Sequence, residues 1–359
     1  MNSTKILIYT DLHCSYNSSI LPLYQDTEDK DLSKYTVRLR MIIETGRWLA
    51  ELASSHNVDC IVNGGDTFDS TIVKAEELEA ISKFFSYFDS LGIPHYVVVG
   101  NHEKVNERFN ASEVLSGYKN VIVCDKPSKI NDVLSVLPYM DAEDITEDLL
   151  KTIQNQMLVS HIDIKGSMVR EGMPLETGIR SELLADYFSF VANGHLHMAQ
   201  KLSTTKNEVW NIGSVSSISF ADSESYAPSA VVYDSETNDF ERIFNPYAIL
   251  FRRVEVKTVD DLKNFLNSLN EDRFRYVFNV KYSNYEDKQE MSDLLDSHKG
   301  IITYKLLNTY SSSENATIEN VEVNDLSDID IKAKFTEFLE TVDFKYDRKY
   351  YDEILSQIG

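Results

Sequence analysis

Five times along this chain a short apolar run ends in side chains able to bind a metal. The clusters are Asp11-Leu12-His13, Gly65-Asp66-Thr67-Phe68-Asp69, Gly100-Asn101-His102-Glu103, Ser160-His161 and Gly194-His195-Leu196-His197. Five of the eight histidines fall in them, while His56, His95 and His298 lie outside and read as ordinary residues. The runs just before or into the clusters, Ile6–Thr10, Cys60–Asn63, Tyr96–Val99, Met157–Ser160 and Phe188–Ala192, read as buried strands. Ligands collect at strand ends in open α/β sheets. Glycine ahead of Asp66, Asn101 and His195 lets the backbone turn sharply and approach an ion. The fold must therefore bring several strand ends to one edge.

Helical spacing is present over Val37–Ala53 and Ala75–Leu91, and further strands are predicted at Val121–Cys124, Val133–Leu137, Val209–Ile212 and Ala230–Tyr233. Early βαβ units followed by closely spaced strands fit an α/β sandwich of two sheets flanked by helices. The pattern changes at Asn245-Pro246. Phe251–Lys257, Asp260–Leu269, Tyr276–Tyr282, Asp287–Leu295 and Ile301–Leu307 spell β-α-β-α-β, a smaller α+β domain over 247–310. Residues 311–359 open on the polar Ser311–Asn315 and continue with an apolar helical stripe, Ile331, Phe335, Phe338 and Val342. A second apolar group follows at Tyr350, Tyr351, Ile354, Leu355 and Ile358. A 359-residue chain accommodates a catalytic domain over 1–246, the smaller domain and this tail of C-terminal helices.

The donor set is imidazole, carboxylate and amide. Imidazole suits Mn, Fe or Zn, and hard oxygen suits Mn or Mg; the lack of sulfur argues against a structural zinc site. One carboxylate can bridge two ions about 3.5–4 Å apart, the spacing of two-metal phosphoesterases. Asp66 is central and is the expected bridge. Asp11, His13, Asp66 and His197 are assigned to one ion; Asp66, Asn101, His161 and His195 to the other. GDxxD or GNHE alone could be a turn, but five such clusters at strand ends are not explained by turns. Mn2+ is the ion expected to serve best.

Other features exclude alternatives. A net charge of −23 opposes passive binding to phosphate backbones or anionic membranes. Cys14, Cys60 and Cys124 are odd in number and far apart, so a disulfide framework does not follow and a cytoplasmic setting is expected. The N-terminal apolar run stops at Asp11 and reads as a strand rather than a signal peptide. No run approaches a membrane span. GxxxxGK[ST] is missing, so the chain is not itself a P-loop ATPase.

Together DLH, GDTFD, GNHE, SH and GHLH resemble the calcineurin-like metallophosphoesterase superfamily over roughly residues 1–245. The resemblance implies a β-sandwich flanked by helices with a two-metal centre between the sheets. Within it, Asn211–Phe220 (NIGSVSSISF) resembles the segment after GHxH in SbcD-type nuclease subunits of DNA double-strand-break repair. Ser70-Thr71 replaces the Arg-Gly that follows GDxxD in protein Ser/Thr phosphatases, which weakens that reading. Some repair nucleases carry His where Asp69 stands.

The narrower resemblance implies a Mn-dependent exonuclease and endonuclease subunit of an SbcCD-like repair and recombination complex. It implies a DNA-capping role for 247–310 and docking of the tail on an SbcC-like ABC-type ATPase. A homodimer within a heterotetramer, formed near Glu103–Ser116, is implied as well. The modest length suggests a phage-type version, working in the host cytoplasm. His102, beside the ligand Asn101, is expected to protonate the leaving 3′ oxygen, with Asp69 holding its tautomer. Lys104, Arg108, Arg170 and Arg180 are candidate contacts to the DNA backbone. The alternative is a small-molecule phosphodiesterase or phosphatase of the same superfamily.

Overall fold

The computed structural model of the protein describes residues 4–16, 29–106, 108–170, 172–202, 207–217, 227–269, 275–283, 285–298 and 302–308. The expected C-terminal helices, and residues 218–220 of the GS…SF segment, lie outside them.

The chain opens with β1 (Lys5–Tyr9), α1 (Val37–His56), β2 (Cys60–Asn63), α2 (Ala75–Ser86), β3 (His95–Val98) and β4 (Val121–Cys124). Next come β5 (Ser128–Lys129), β6 (Leu134–Leu137), α3 (Glu147–Thr152), β7 (Met157–Ser160) and the hairpin β8 (Met168–Arg170) and β9 (Met173–Pro174). They are followed by α4 (Ser181–Tyr187), β10 (Phe190–Asn193), β11 (Gln200–Lys201), β12 (Glu208–Asn211), β13 (Ser229–Asp234) and β14 (Asp239–Phe244).

Two six-stranded sheets result, ordered β14-β13-β1-β2-β3-β4 and β11-β12-β10-β7-β6-β5. Four neighbouring strands of each are parallel: β1 to β4 in the first, and β6, β7, β10 and β12 in the second. Period-two alternation sorts their side chains. Ile6, Ile8, Val62 and Val98 pack against Val136, Met157, Val159, Phe190 and Ala192 between the sheets. The opposite positions, Leu7, Tyr9, Ile61 and Val97, face α1 and α2. On the far side Leu158, Val191 and Val209 pack with Leu150 of α3 and Leu184 of α4. The layers are helix, sheet, sheet, helix, the expected sandwich.

Beyond Pro246 run β15 (Ile249–Val256), α5 (Val259–Asn267), β16 (Arg275–Tyr282), α6 (Lys288–Asp296) and β17 (Ile302–Asn308), a parallel sheet ordered β15-β16-β17. Val254, Phe278, Val280, Leu262 and Met291 form its own apolar cluster. Ile249, Phe251 and Val277 instead join the cluster under α1.

Several elements depart from the sequence reading. α2 ends at Ser86 rather than Leu91, because Phe88, Asp89 and Leu91 bond three residues back as successive turns before Gly92. The helices α3 and α4, of 6 and 7 residues, are too short for their period to stand out. β14 and the β8–β9 hairpin are likewise additions to the sequence reading. Among the described residues no helix is long and apolar enough to cross a membrane.

Candidate metal centre

All five clusters leave the carboxyl ends of parallel strands on the same edge of the sandwich. Asp11 and His13 follow β1, Asp66 and Asp69 follow β2, and Asn101 and His102 follow β3. His161 follows β7, and His195 and His197 follow β10. The parallel pairing of β1 and β2 continues past the strands, since Asp11, His13 and Cys14 donate main-chain N–H to the carbonyls of Gly65, Asp66 and Thr67. That register sets the DLH loop against the GDTFD loop.

Asp66 is the hub. Its Oδ1 accepts the main-chain N–H of His102 at 3.1 Å. Its Oδ2 faces His161 Nε2 at 3.2 Å and His13 Nε2 at 3.6 Å. On one side Asp11, His13 and His197 bring ligand atoms within 4.8 Å of one another; on the other, Asp66, His161 and His195 do so. Asn101 Oδ1 joins the second set, 3.1 Å from His161 Nε2 and 2.9 Å from His195 Nδ1. The structure thus brings all seven sequence-predicted ligands to one place; Asp66 groups with His161 and His195 and lies 3.6 Å from His13 of the first group. His102 also comes within the same span of His13 and Asp66.

The donors fit two cations. Asp11 Oδ1 is buried without a hydrogen-bond partner, and it lies 3.8 Å from both His13 Nε2 and His197 Nε2. His13 Nε2 and His197 Nε2 lie 3.0 Å apart. Acceptors pressed together in this way need a proton or a cation between them. The backbone is strained to achieve it: Asp11, His13, Asp66 and His195 have φ of 53°, 46°, 52° and 73°. Such left-handed residues cost about 1–3 kcal/mol each and gather at functional sites. Gly65 and Gly100 are obligatory, since a Cβ would strike the His161 ring or the Asp66 carboxylate.

Protons take the cationic role in the metal-free protein. Burial alone would lower His13, but hydrogen bonds to Asp11 and Asp69 and the charge of Asp66 raise it to about 10. Burial likewise opposes His161, and Asp66 overcomes it to reach about 9. Burial would raise Asp66, but the His161 and His13 imidazoliums hold it well below the usual carboxylate range. Burial and the neighbouring His161 push His195 down. At pH 7 His13 and His161 therefore carry protons that metal must displace. Loading two ions should release about two protons, and apparent affinity should climb as pH rises toward about 9. Calorimetry in buffers of different protonation enthalpy measures this, and a buffer-independent heat would contradict it. Because both folded values lie above the ordinary histidine value near 6.5, the stability they add to the metal-free fold is complete below that pH. It is lost as pH rises through about 9 and about 10.

One expectation needs correcting. Asp69 does meet His102, but through its main-chain carbonyl, which accepts from Nδ1 at 2.8 Å. Its carboxylate instead pairs with His13 Nδ1 at 3.2 Å. The turn Asp66–Asp69 runs beside the DLH loop, so the side chain reaches the nearer imidazole. His95, read from sequence as ordinary, is buried away from the clusters, bonded to the Tyr9 hydroxyl at 2.9 Å and pushed by burial to about 3.

Sequence reasoning missed the groups behind the ligands. Buried Arg38 of α1 donates to the carbonyls of Leu12, His13 and Ser217. Ser214 and Ser216 bond the Asp11 and Leu12 carbonyls, so the NIGSVSS stretch buttresses the DLH loop. Fully buried Glu103 accepts from Gly100 and Phe68 N–H, clamping two ligand loops. Asp163 Oδ1 lies 2.9 Å from His195 Nε2. Two sequence signals were present: Glu103 sits within a noted cluster, and Ser214, Ser216 and Ser217 sit within the noted NIGSVSSISF segment, both without a role assigned at the site.

The calcineurin-like phosphoesterase family model matches residues 4–199. No curated protein matches the chain. Among solved structures, the protein TT1561 of Thermus thermophilus is similar at 12% identity and a TM-score of 0.40, over 68% of this chain and 100% of that one. A dimetal phosphatase of Danio rerio is similar at 10% identity and 0.35, over 67% and 99%. Vps29 of Entamoeba histolytica, a single mutant, is similar at 11% and 0.29, over 67% and 99%. With more than half its length matched and the family's donor set assembled at one edge of the sandwich, the chain belongs to the calcineurin-like phosphoesterase family and is a metal-dependent hydrolase.

Proposed function

We propose that this chain is a Mn-dependent DNA nuclease, the subunit of an SbcCD-like repair and recombination complex that hydrolyses phosphodiesters. The observation that carries the reading is the β15–β17 unit, a compact β-α-β-α-β sheet appended to a full two-ion donor set. A small-molecule phosphatase has no evident use for it. The NIGSVSS stretch adds support. So does a groove of about 490 Å³ beside β11, lined by the basic Lys165, Arg180 and Lys201 together with Glu182 and Gln200, three cations to one anion in a strongly acidic protein. Exposed Val105, Phe109 and Val114 suit the proposed homodimer contact. Residues 311–359, with twelve acidic and five basic residues, are proposed to dock on a basic ATPase partner rather than on DNA.

Asp11, His13, Asp66 and His197 would hold one ion, and Asp66, Asn101, His161 and His195 the other. Two bound divalent ions offset charge on a phosphate and acidify water. The chain's own residues do the rest. His102 is half-buried, and Asp69 O accepts its Nδ1–H, so Nε2 is the nitrogen that hands a proton to the leaving 3′ oxygen. The main-chain bond from His102 to Asp66 fixes the distance between acid and donor set.

The opposing observation is the net charge of −23, which suits a small-molecule phosphodiesterase or phosphatase. Linear duplex DNA and bis-p-nitrophenyl phosphate, each digested with Mn2+, separate the readings. The nuclease should degrade DNA, and an ATPase partner should stimulate it with ATP. Cleavage of the small diester without cleavage of DNA, with or without the partner, would favour the alternative.

A further inference from the structure

We infer that Asp163 is a positioning residue that fixes the tautomer and aim of His195, and through it the strength of the second ion site. The inference rests on the two-ion reading of the centre and does not depend on the substrate. His195 sits at φ 73°, in the left-handed region that few non-glycine residues adopt. Both ring nitrogens face oxygens: Nδ1 lies 2.9 Å from Asn101 Oδ1 and Nε2 lies 2.9 Å from Asp163 Oδ1. An ionised carboxylate can only accept. It therefore demands the proton on Nε2 and leaves the Nδ1 lone pair for the group of Asp66, Asn101 and His161.

Asp163 is itself firmly placed. Its carbonyl accepts the N–H of Ile179 at 2.9 Å. Gly178, at φ 106°, abuts the same carbonyl, and a Cβ there would come within 2.6 Å of it. Ile162, just before it, is fully buried and bonded at its N–H and its carbonyl by the Asn193 amide. Among the described residues the Asp163 carboxylate hydrogen-bonds His195, whereas His13, in the other group, has its outer nitrogen on Asp69. The two ion sites are thus tuned by separate carboxylates, and removing one should weaken one site. Outer carboxylates on ligating histidines contribute roughly 10–100-fold in affinity.

The test uses the full chain stripped of metal and titrated with Mn2+, alongside 15N NMR of the histidine rings before metal is added. Wild type should bind two ions and show His195 protonated at Nε2. Asp163→Ala should weaken one ion by roughly 10–100-fold, leave the other unchanged, mix the His195 tautomers and keep the melting temperature. If Asp163→Ala does not fold, Asp163→Asn, which keeps the shape and loses the charge, should show the same selective loss. Two ions at wild-type affinity in the variant would overturn the inference, as would equal weakening of both sites or a wild-type His195 protonated at Nδ1. Fewer than two ions on the wild-type chain would overturn the two-ion reading together with it.

Discussion

Asp66→Asn should strip the centre of both ions and abolish phosphoester cleavage. Removing a single electrostatic contact costs about 10²–10³ in turnover. Asp66 should cost more, because one carboxylate oxygen faces His13 and His161 on the two sides of the centre. Asparagine matches the shape, and its oxygen can still accept from the His102 N–H. The lost property is negative charge, which also holds protons on His13 and His161. His161 should titrate at lower pH in the variant and its share of the alkaline loss of stability near pH 9 should shrink, while His13, raised first by Asp11 and Asp69, should keep most of its loss near pH 10. Metal content by elemental analysis, turnover on a small diester and the melting temperature decide the matter together. Two retained ions with normal turnover would remove Asp66 from the bridging position; a collapsed melting temperature would assign the loss to folding instead.

The ligands were legible because they obey local rules. Each follows an apolar run, and glycine marks the turn before Asp66, Asn101 and His195. The parallel register of β1 and β2 puts DLH and GDTFD side by side. The residues behind the ligands obey no local rule. Arg38 reaches Ser217 from 179 positions away, and Asp163 meets His195 across 32. An arginine on an amphipathic helix reads as solvated, yet this one is buried beneath the DLH loop. The Asp69 error has a similar origin. The spacing of GDxxD places Asp69 near both His13 and His102, and only the path of the turn decides which imidazole receives the carboxylate and which the carbonyl. Positive φ at four ligands is likewise silent in sequence, because none of the four is glycine.

On the proposed nuclease reading, His102→Gln should leave two ions in place and cut DNA turnover by roughly 10²–10⁴, the usual contribution of a general acid. The ring is replaceable without disturbing Asp66, because the bond between them comes from the His102 main chain. The Asp69 carbonyl, which accepts from Nδ1, can accept from the glutamine amide instead. What glutamine cannot do is give up a proton. The size of the loss should therefore follow the leaving group. Scission of DNA expels a poorly stabilised alkoxide, which needs protonation, whereas p-nitrophenolate leaves without it. Bis-p-nitrophenyl phosphate cleavage should fall far less than DNA cleavage. The competing role comes from geometry, since His102 lies within ligand distance of His13 and Asp66. A ligand would affect both substrates alike and lower the metal content, because it acts before the leaving group matters. Equal losses on the two substrates with one ion missing would assign His102 to the donor set. A loss confined to DNA with both ions retained would assign it to the proton.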